Sequence, residues 1–244
     1  MGRDLVCLAL ITVAACGGVR ADATHPETRR SFDASRLRTG RFSYHTTLEG
    51  KDAGNSTISI DRTDEATYRF RNEVTGMFRQ TWESTATRAF QPLSASLGLG
   101  ANDNKSVSMR LVYEGQAVHG TATKADPVLG PQTNTVSARI PEDTVDQRID
   151  WAVMVASETP SGQPFHFSVY DPWIGVSRVS AHAGAAEQVR VPAGAFDAHR
   201  MTYRIEKSSG TVQYVVWVSE QAPCFLVRED FPNGAITELT QMMN

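Results

Sequence analysis

The strongest constraint on this chain is a period of two that returns in almost every segment between residues 40 and 240. Phe42, Tyr44 and Thr46 alternate with polar neighbours, and Ile58 with Ile60, Tyr68 with Phe70, and Phe78, Gln80 and Trp82 repeat the pattern. Successive side chains of a strand point to opposite sides, so each set lies on one face of a sheet. Val107, Met109, Leu111 and Tyr113 alternate without a break, and Glu114-Gly115-Gln116 turns the chain toward Val118 and Gly120 as a hairpin. The rhythm resumes in Phe165, Phe167 and Val169, in Val189 and Val191, in Met201, Tyr203 and Ile205, and in the pair Phe225–Val227 and Ile236–Leu239 joined through Asn233-Gly234. Val212 to Val218 is apolar on both faces, which predicts a place at the centre of the fold. About twelve strands are expected. No βαβ rhythm accompanies them, so the predicted class is all-β, a long curved antiparallel sheet.

Three segments break the rhythm. Residues 91–105 carry Pro92, Gly98, Gly100 and Asn102 and read as a long loop, either folded back on the core or laid as a flap over a cavity. Residues 124–134, with Pro127, Gly130 and Pro131, read as a second irregular surface stretch. Between Asp143 and Ser157 the period changes to 3.6, because Val145, Ile149, Ala152, Val153 and Ala156 recur at helical spacing with Asp146, Arg148 and Asp150 between them. Glu142 and Asp143 suit a helix N-terminus, and Pro160 ends it. One principal amphipathic helix is therefore expected to cover part of the sheet, its charges toward solvent.

The first residues are of another kind. An apolar run from Leu5 to Ala15 is too short to span a bilayer and has the length of a signal-peptide core. Val13-Ala14-Ala15-Cys16 resembles the bacterial lipobox, which implies removal of residues 1–15 and acylation of Cys16. With no Asp directly after Cys16, the resemblance implies the periplasmic face of the outer membrane. Cleavage after Ala23 is the competing reading and would leave a soluble periplasmic or secreted protein. Residues 16–38 read as a flexible tether, and residues 39–241 as one β-rich domain. Cys7 lies in the signal core, so Cys224 is left without a disulfide partner and is expected to be a buried hydrophobe. A formal charge of −3, from 24 basic and 27 acidic residues, composes no nucleic-acid footprint.

Val191-Pro192-Ala193-Gly194-Ala195-Phe196-Asp197-Ala198, then Trp217-Val218-Ser219, then Phe225-Leu226-Val227-Arg228, resemble in order the strand elements of uncharacterised bacterial periplasmic β-proteins. The helix followed by Phe165-His166-Phe167-Ser168-Val169-Tyr170-Asp171 resembles the same family upstream. The resemblance spans about residues 140 to 240 and implies a sheet curled into a β-spiral, or the half-barrel plus helix of lipoprotein-carrier proteins. It further implies a part in envelope integrity or in holding hydrophobic cargo, and supplies no catalytic residues.

The residues themselves announce no reaction. His25, His45, His119, His166, His182 and His199 are scattered without ligand spacing, and no nucleophile elbow, P-loop or dinucleotide fingerprint occurs. Glu114, Asp171 and Glu220 have turn or solvent explanations. The expectation is a noncatalytic envelope lipoprotein without cofactor or metal, joined to the membrane by its lipid. It would bind an apolar or lipid-like ligand, or another envelope component. Strand aromatics and the leucines of residues 91–105 supply the candidate ligand-binding set: Phe78, Trp82, Leu97, Leu99, Tyr113 and Trp217. The alternatives are a structural or assembly protein that recognises a protein by an exposed sheet edge, and a hydrolase whose site is assembled from distant strands.

Overall fold

The computed structural model describes residues 32–77, 79–101, 104–126, 128–158 and 163–243. The first half is eight successive strands: β1 (Gly40–Leu48), β2 (Lys51–Arg62), β3 (Thr67–Gly76), β4 (Arg79–Thr87), β5 (Pro92–Ala101), β6 (Asn104–Glu114), β7 (Ala117–Asp126) and β8 (Gly130–Arg139). A short strand β9 (Thr144–Asp146), a 3-10 turn at Gln147–Ile149 and the helix α1 (Asp150–Ala156) follow. The second half is β10 (Phe165–Asp171), β11 (Gly175–Val191), β12 (Gly194–Lys207), β13 (Gly210–Ser219), β14 (Leu226–Asp230) and β15 (Ala235–Met243). The class is mainly β, as the alternation requires, with one α-helix among the described residues.

All fifteen strands belong to one sheet, in the order β8-β7-β6-β5-β4-β3-β2-β1-β15-β14-β13-β12-β11-β10-β9. Every pairing joins strands adjacent in sequence except β1 with β15, which splices the two meanders. Among the strand pairs of the described residues, β9 with β10 is the parallel one. The sheet does not close into a barrel, since its order ends at β8 on one side and β9 on the other. It rolls instead. The inward side chains of β5 to β8 form a small core that takes in Tyr170 of β10, and the rings of Tyr113 and Tyr170 meet edge to face at 6.4 Å. On its other face β10 turns Phe165, Phe167 and Val169 into the large core, which α1 also enters. Both faces of the β10 end are therefore covered.

Tertiary pairing displaces several sequence-based boundaries. The helix expected from Asp143 begins at Asp150, because Thr144, Val145 and Asp146 pair in parallel with Ser168, Val169 and Tyr170. Its charges do not face solvent either: Asp146, Arg148 and Asp150 are all buried. Residues 91–105 are not a loop, for β5 is paired along both edges with β4 and β6. Pro92 stands at the strand start, and a register irregularity between Leu99 and Gly100 takes up the rest, both tolerated places for such residues. In residues 124–134 only the turn after Asp126 is irregular, since β7 and β8 extend into both flanks. β13 is buried on both faces from Val215 to Ser219, as its doubly apolar run requires, although the middle place in the sheet order belongs to β1.

The far end of the expected tether is also packed. Ala34 and Leu37 are buried, Cys224 donates its backbone N–H to the Arg36 carbonyl at 2.7 Å, and the Phe32 ring lies 5.6 Å from both Phe165 and Phe167. Arg88 donates through two nitrogens to the Asp33 carboxylate at 2.7 and 2.6 Å, and that bond holds the Asp33 carboxyl well below the usual range. Three apolar side chains and an ion pair explain why residues 32–38 belong to the domain. Residues 1–15 and Cys16 lie outside the described residues.

Candidate functional site

The rings proposed to line a cavity are for the most part core. Trp82, Tyr113 and Trp217 are 8 %, 4 % and 9 % exposed. Trp82 on β4 stands directly across from Leu97 on β5, and Leu99 is the next position on the same face. Tyr113 belongs to the small core and Trp217 to the large one, so the six candidates do not converge. Phe78 lies outside the described residues. Trp82 and Leu97 do share one feature, a groove of about 410 Å³ across β3 to β7. Its other walls are Arg71, Glu73, Glu83 and Arg110, with small residues such as Gly98 between them.

Trp217 has a different setting. Its indole N–H donates to Glu187 Oε1 at 2.5 Å, while the guanidinium groups of Arg228 and Arg200 lie 5.0 and 5.7 Å from the ring centre. Two cations against the ring, one from each neighbouring strand, and an anion at its N–H satisfy the indole.

Two buried polar clusters went unread in the sequence. The first locks the roll. Arg148 donates from Nε and Nη2 to the two carboxylate oxygens of Asp146 at 2.6 and 2.8 Å, from Nη1 to Asp171 Oδ2 at 2.9 Å, and from Nη2 to the Tyr170 carbonyl at 3.1 Å. The Tyr113 hydroxyl donates to Asp146 Oδ2 at 2.6 Å, tying β6 to β9 across the seam. Burial and the neighbouring Asp146 charge push the Tyr113 phenol upward, so it stays a donor. Burial alone would lower the Arg148 value; the charges and hydrogen bonds of Asp146 and Asp171 more than reverse it. Asp171, read from the sequence as a turn residue, does accept the Trp173 backbone N–H at 2.9 Å, but its second oxygen completes this network. Charged residues at helix-compatible spacing look like a solvated face until their partner, 23 positions away, is known.

The second cluster is a pair of carboxyls in the large core. Burial pushes Asp150 up to about 7, and burial together with the Asp150 charge pushes Glu229 up to about 8. The Tyr203 hydroxyl donates to Glu229 Oε1 at 3.3 Å. Neither carboxyl lines the groove. Among the described residues no three His, Cys, Asp or Glu side chains gather as a metal site.

The β8 edge is open to solvent. Pro131 to Thr135 are consecutively exposed, and in the turn before them Val128 and Leu129 are 86 % and 72 % exposed.

No curated protein sequence matches this chain. Among solved structures, the chain is similar to an exported protein with a YmcC-like fold from Bacteroides fragilis, at a TM-score of 0.35 and 10 % identity, over 88 % of this chain and 100 % of that one. A lipoprotein from Parabacteroides distasonis gives 0.36 and 11 % over the same shares. A family model described as a protein of unknown function, DUF3108, matches residues 41–240, from β1 to β15. The chain belongs to the DUF3108 family.

Proposed function

We propose that this chain is an exported bacterial envelope protein, held at the outer membrane by a lipid on Cys16, that acts without catalysis by binding a protein through the free edge of β8. The observation that carries the reading is the contrast in exposure between that edge and the interior. Five consecutive exposed residues stand on a terminal strand, while Trp82, Tyr113 and Trp217 are packed away. A terminal strand offers a row of backbone donors and acceptors, which an extended segment of a partner can satisfy. The apolar run before Cys16 supplies export and anchor under the same reading.

A photo-crosslinking residue placed at Thr135 in the full chain, expressed in its own envelope, tests it. Protein adducts are expected at Thr135 and not at the exposed Glu206 of β12. Equal labelling at both positions, or none at Thr135, would overturn the edge reading. Mass spectrometry of the mature N-terminus tests the anchor, which an unmodified Thr24 terminus would sink.

A second reading, binding of an apolar or lipid-like ligand, is favoured by one observation: Trp82 and Leu97 pair across strands and share the groove. Lipid titration followed by Trp fluorescence checks it. Saturable binding that Leu97→Asp removes is expected, and a flat titration counts against it.

A further inference from the structure

We infer that the protein which pairs with the β8 edge is a second copy of this chain, added antiparallel across a two-fold axis. The inference rests on the edge reading above and names its partner. Natural edge strands are guarded by charges, bulges or proline. This one has little guard. From Gly130 to Ala138 there is no charged residue, and the ten residue pairs of β7 with β8 run without a register irregularity. Pro131 near one end and Arg139 at the other are the guards that this strand carries.

An uncharged strand matters most for a self-pair. In antiparallel pairing centred on Thr135, near the middle of β8, Thr135 of one copy faces Thr135 of the other, with Asn134 and Thr133 facing Val136 and Ser137. Any charge there would meet its own sign directly, and like charges in opposed positions destabilise a sheet. The charges sit at the two ends instead, and they differ in sign. Asp126, paired with Gly130, borders the first end, and Arg139 closes the second. A two-fold axis sets the Asp126 end of each copy beside the Arg139 end of the other. It also brings the exposed Val128 and Leu129 alongside the aliphatic stem of the other copy's Arg139, which takes apolar surface out of water. The contact is isologous, so it closes at two copies and does not propagate. One strand edge is small beside the roughly 1,200 Å² of a stable interface, so the pairing is concentration-dependent and suits chains confined to one membrane surface.

The test is oxidative cross-linking of the full chain in its own membranes with Thr135→Cys. A reducible species of twice the chain mass is expected, and none from His119→Cys on the neighbouring, already paired β7. Sedimentation of the purified full chain then follows Thr133→Lys with Thr135→Lys, which opposes like charges across the axis. Self-association about tenfold weaker or less is expected, with an unchanged circular dichroism spectrum. A chain that stays monomeric at every concentration and forms no self-adduct at Thr135 overturns the inference. If the Thr135 adducts hold a different protein only, the second copy is wrong and the edge reading stands. If Thr135 forms no adduct of either kind, both fail.

Discussion

The two ends of this one sheet are treated in opposite ways. At the β9 and β10 end, both faces are buried, and the seam to β6 is tied by Arg148, Asp146, Asp171 and Tyr113, four polar side chains with hardly any exposure. At the β8 end, five successive residues meet solvent and no charge guards the middle of the strand. A buried guanidinium costs several kcal/mol to desolvate, and only several well-placed acceptors offset that cost. The seam has them, and their geometry admits one arrangement of β6 against β9. An edge without such a lock is cheap to leave open and free to take a partner. Buried, hydrogen-bonded polar side chains are thus concentrated at one end and exposed strand residues at the other.

The largest expected effect breaks the locked end. Arg148→Met leaves Asp146 and Asp171 buried without their cation, and should lower unfolding free energy by about 3–5 kcal/mol in a denaturant titration. A loss below about 1 kcal/mol would mean that water reaches the seam.

Next comes pH. Asp150 and Glu229 have folded-state values of about 7 and about 8, raised from 3.8 and 4.5, so the folded domain holds protons that the unfolded chain releases. Their contribution is complete below the unfolded values and is lost as pH rises through the folded ones. Stability should therefore increase from pH 8.5 to pH 5.5, by an amount on the order of 3 kcal/mol for two coupled buried groups. Glu229→Gln should flatten that dependence. An identical slope in the variant would assign it to other groups.

A smaller loss sharpens the role of the seam. Tyr113→Phe keeps the ring against Tyr170 and removes only the bond to Asp146, which should cost about 1.5–3 kcal/mol. Its circular dichroism should match that of the parent.

The smallest effect belongs to the open end. Thr135→Lys, on an exposed edge, should change stability by no more than about 0.5 kcal/mol while removing edge adducts. A large destabilisation would show that β8 is covered in the folded protein.

How much of this was legible depended on how local the cause was. The faces of β1, β2, β3 and β6 could be read because alternation is a property of five or six neighbouring residues. β5 could not, since Pro92, Gly98 and Gly100 have weak strand preferences that pairing on both edges overrides. The ligand set chosen for its rings picked out Trp82 and Leu97 as neighbours, but whether a ring lines a groove or fills a core depends on what folds over it. Of the polar residues, Asp146, Arg148 and Asp150 were visible as charges and misplaced as a solvated face.

The sequence by itself determined a mainly-β chain with a single change of period and an apolar run before Cys16, because each is written within a few consecutive residues. Only the tertiary structure decided where the helix begins, which charges are buried, and which of the two sheet ends is sealed. Those outcomes hang on contacts such as Tyr113 with Asp146, 33 residues apart, and β1 with β15, at opposite ends of the sheet-forming chain. Their free energy exists only once the sheet has rolled, so no window of sequence carries it.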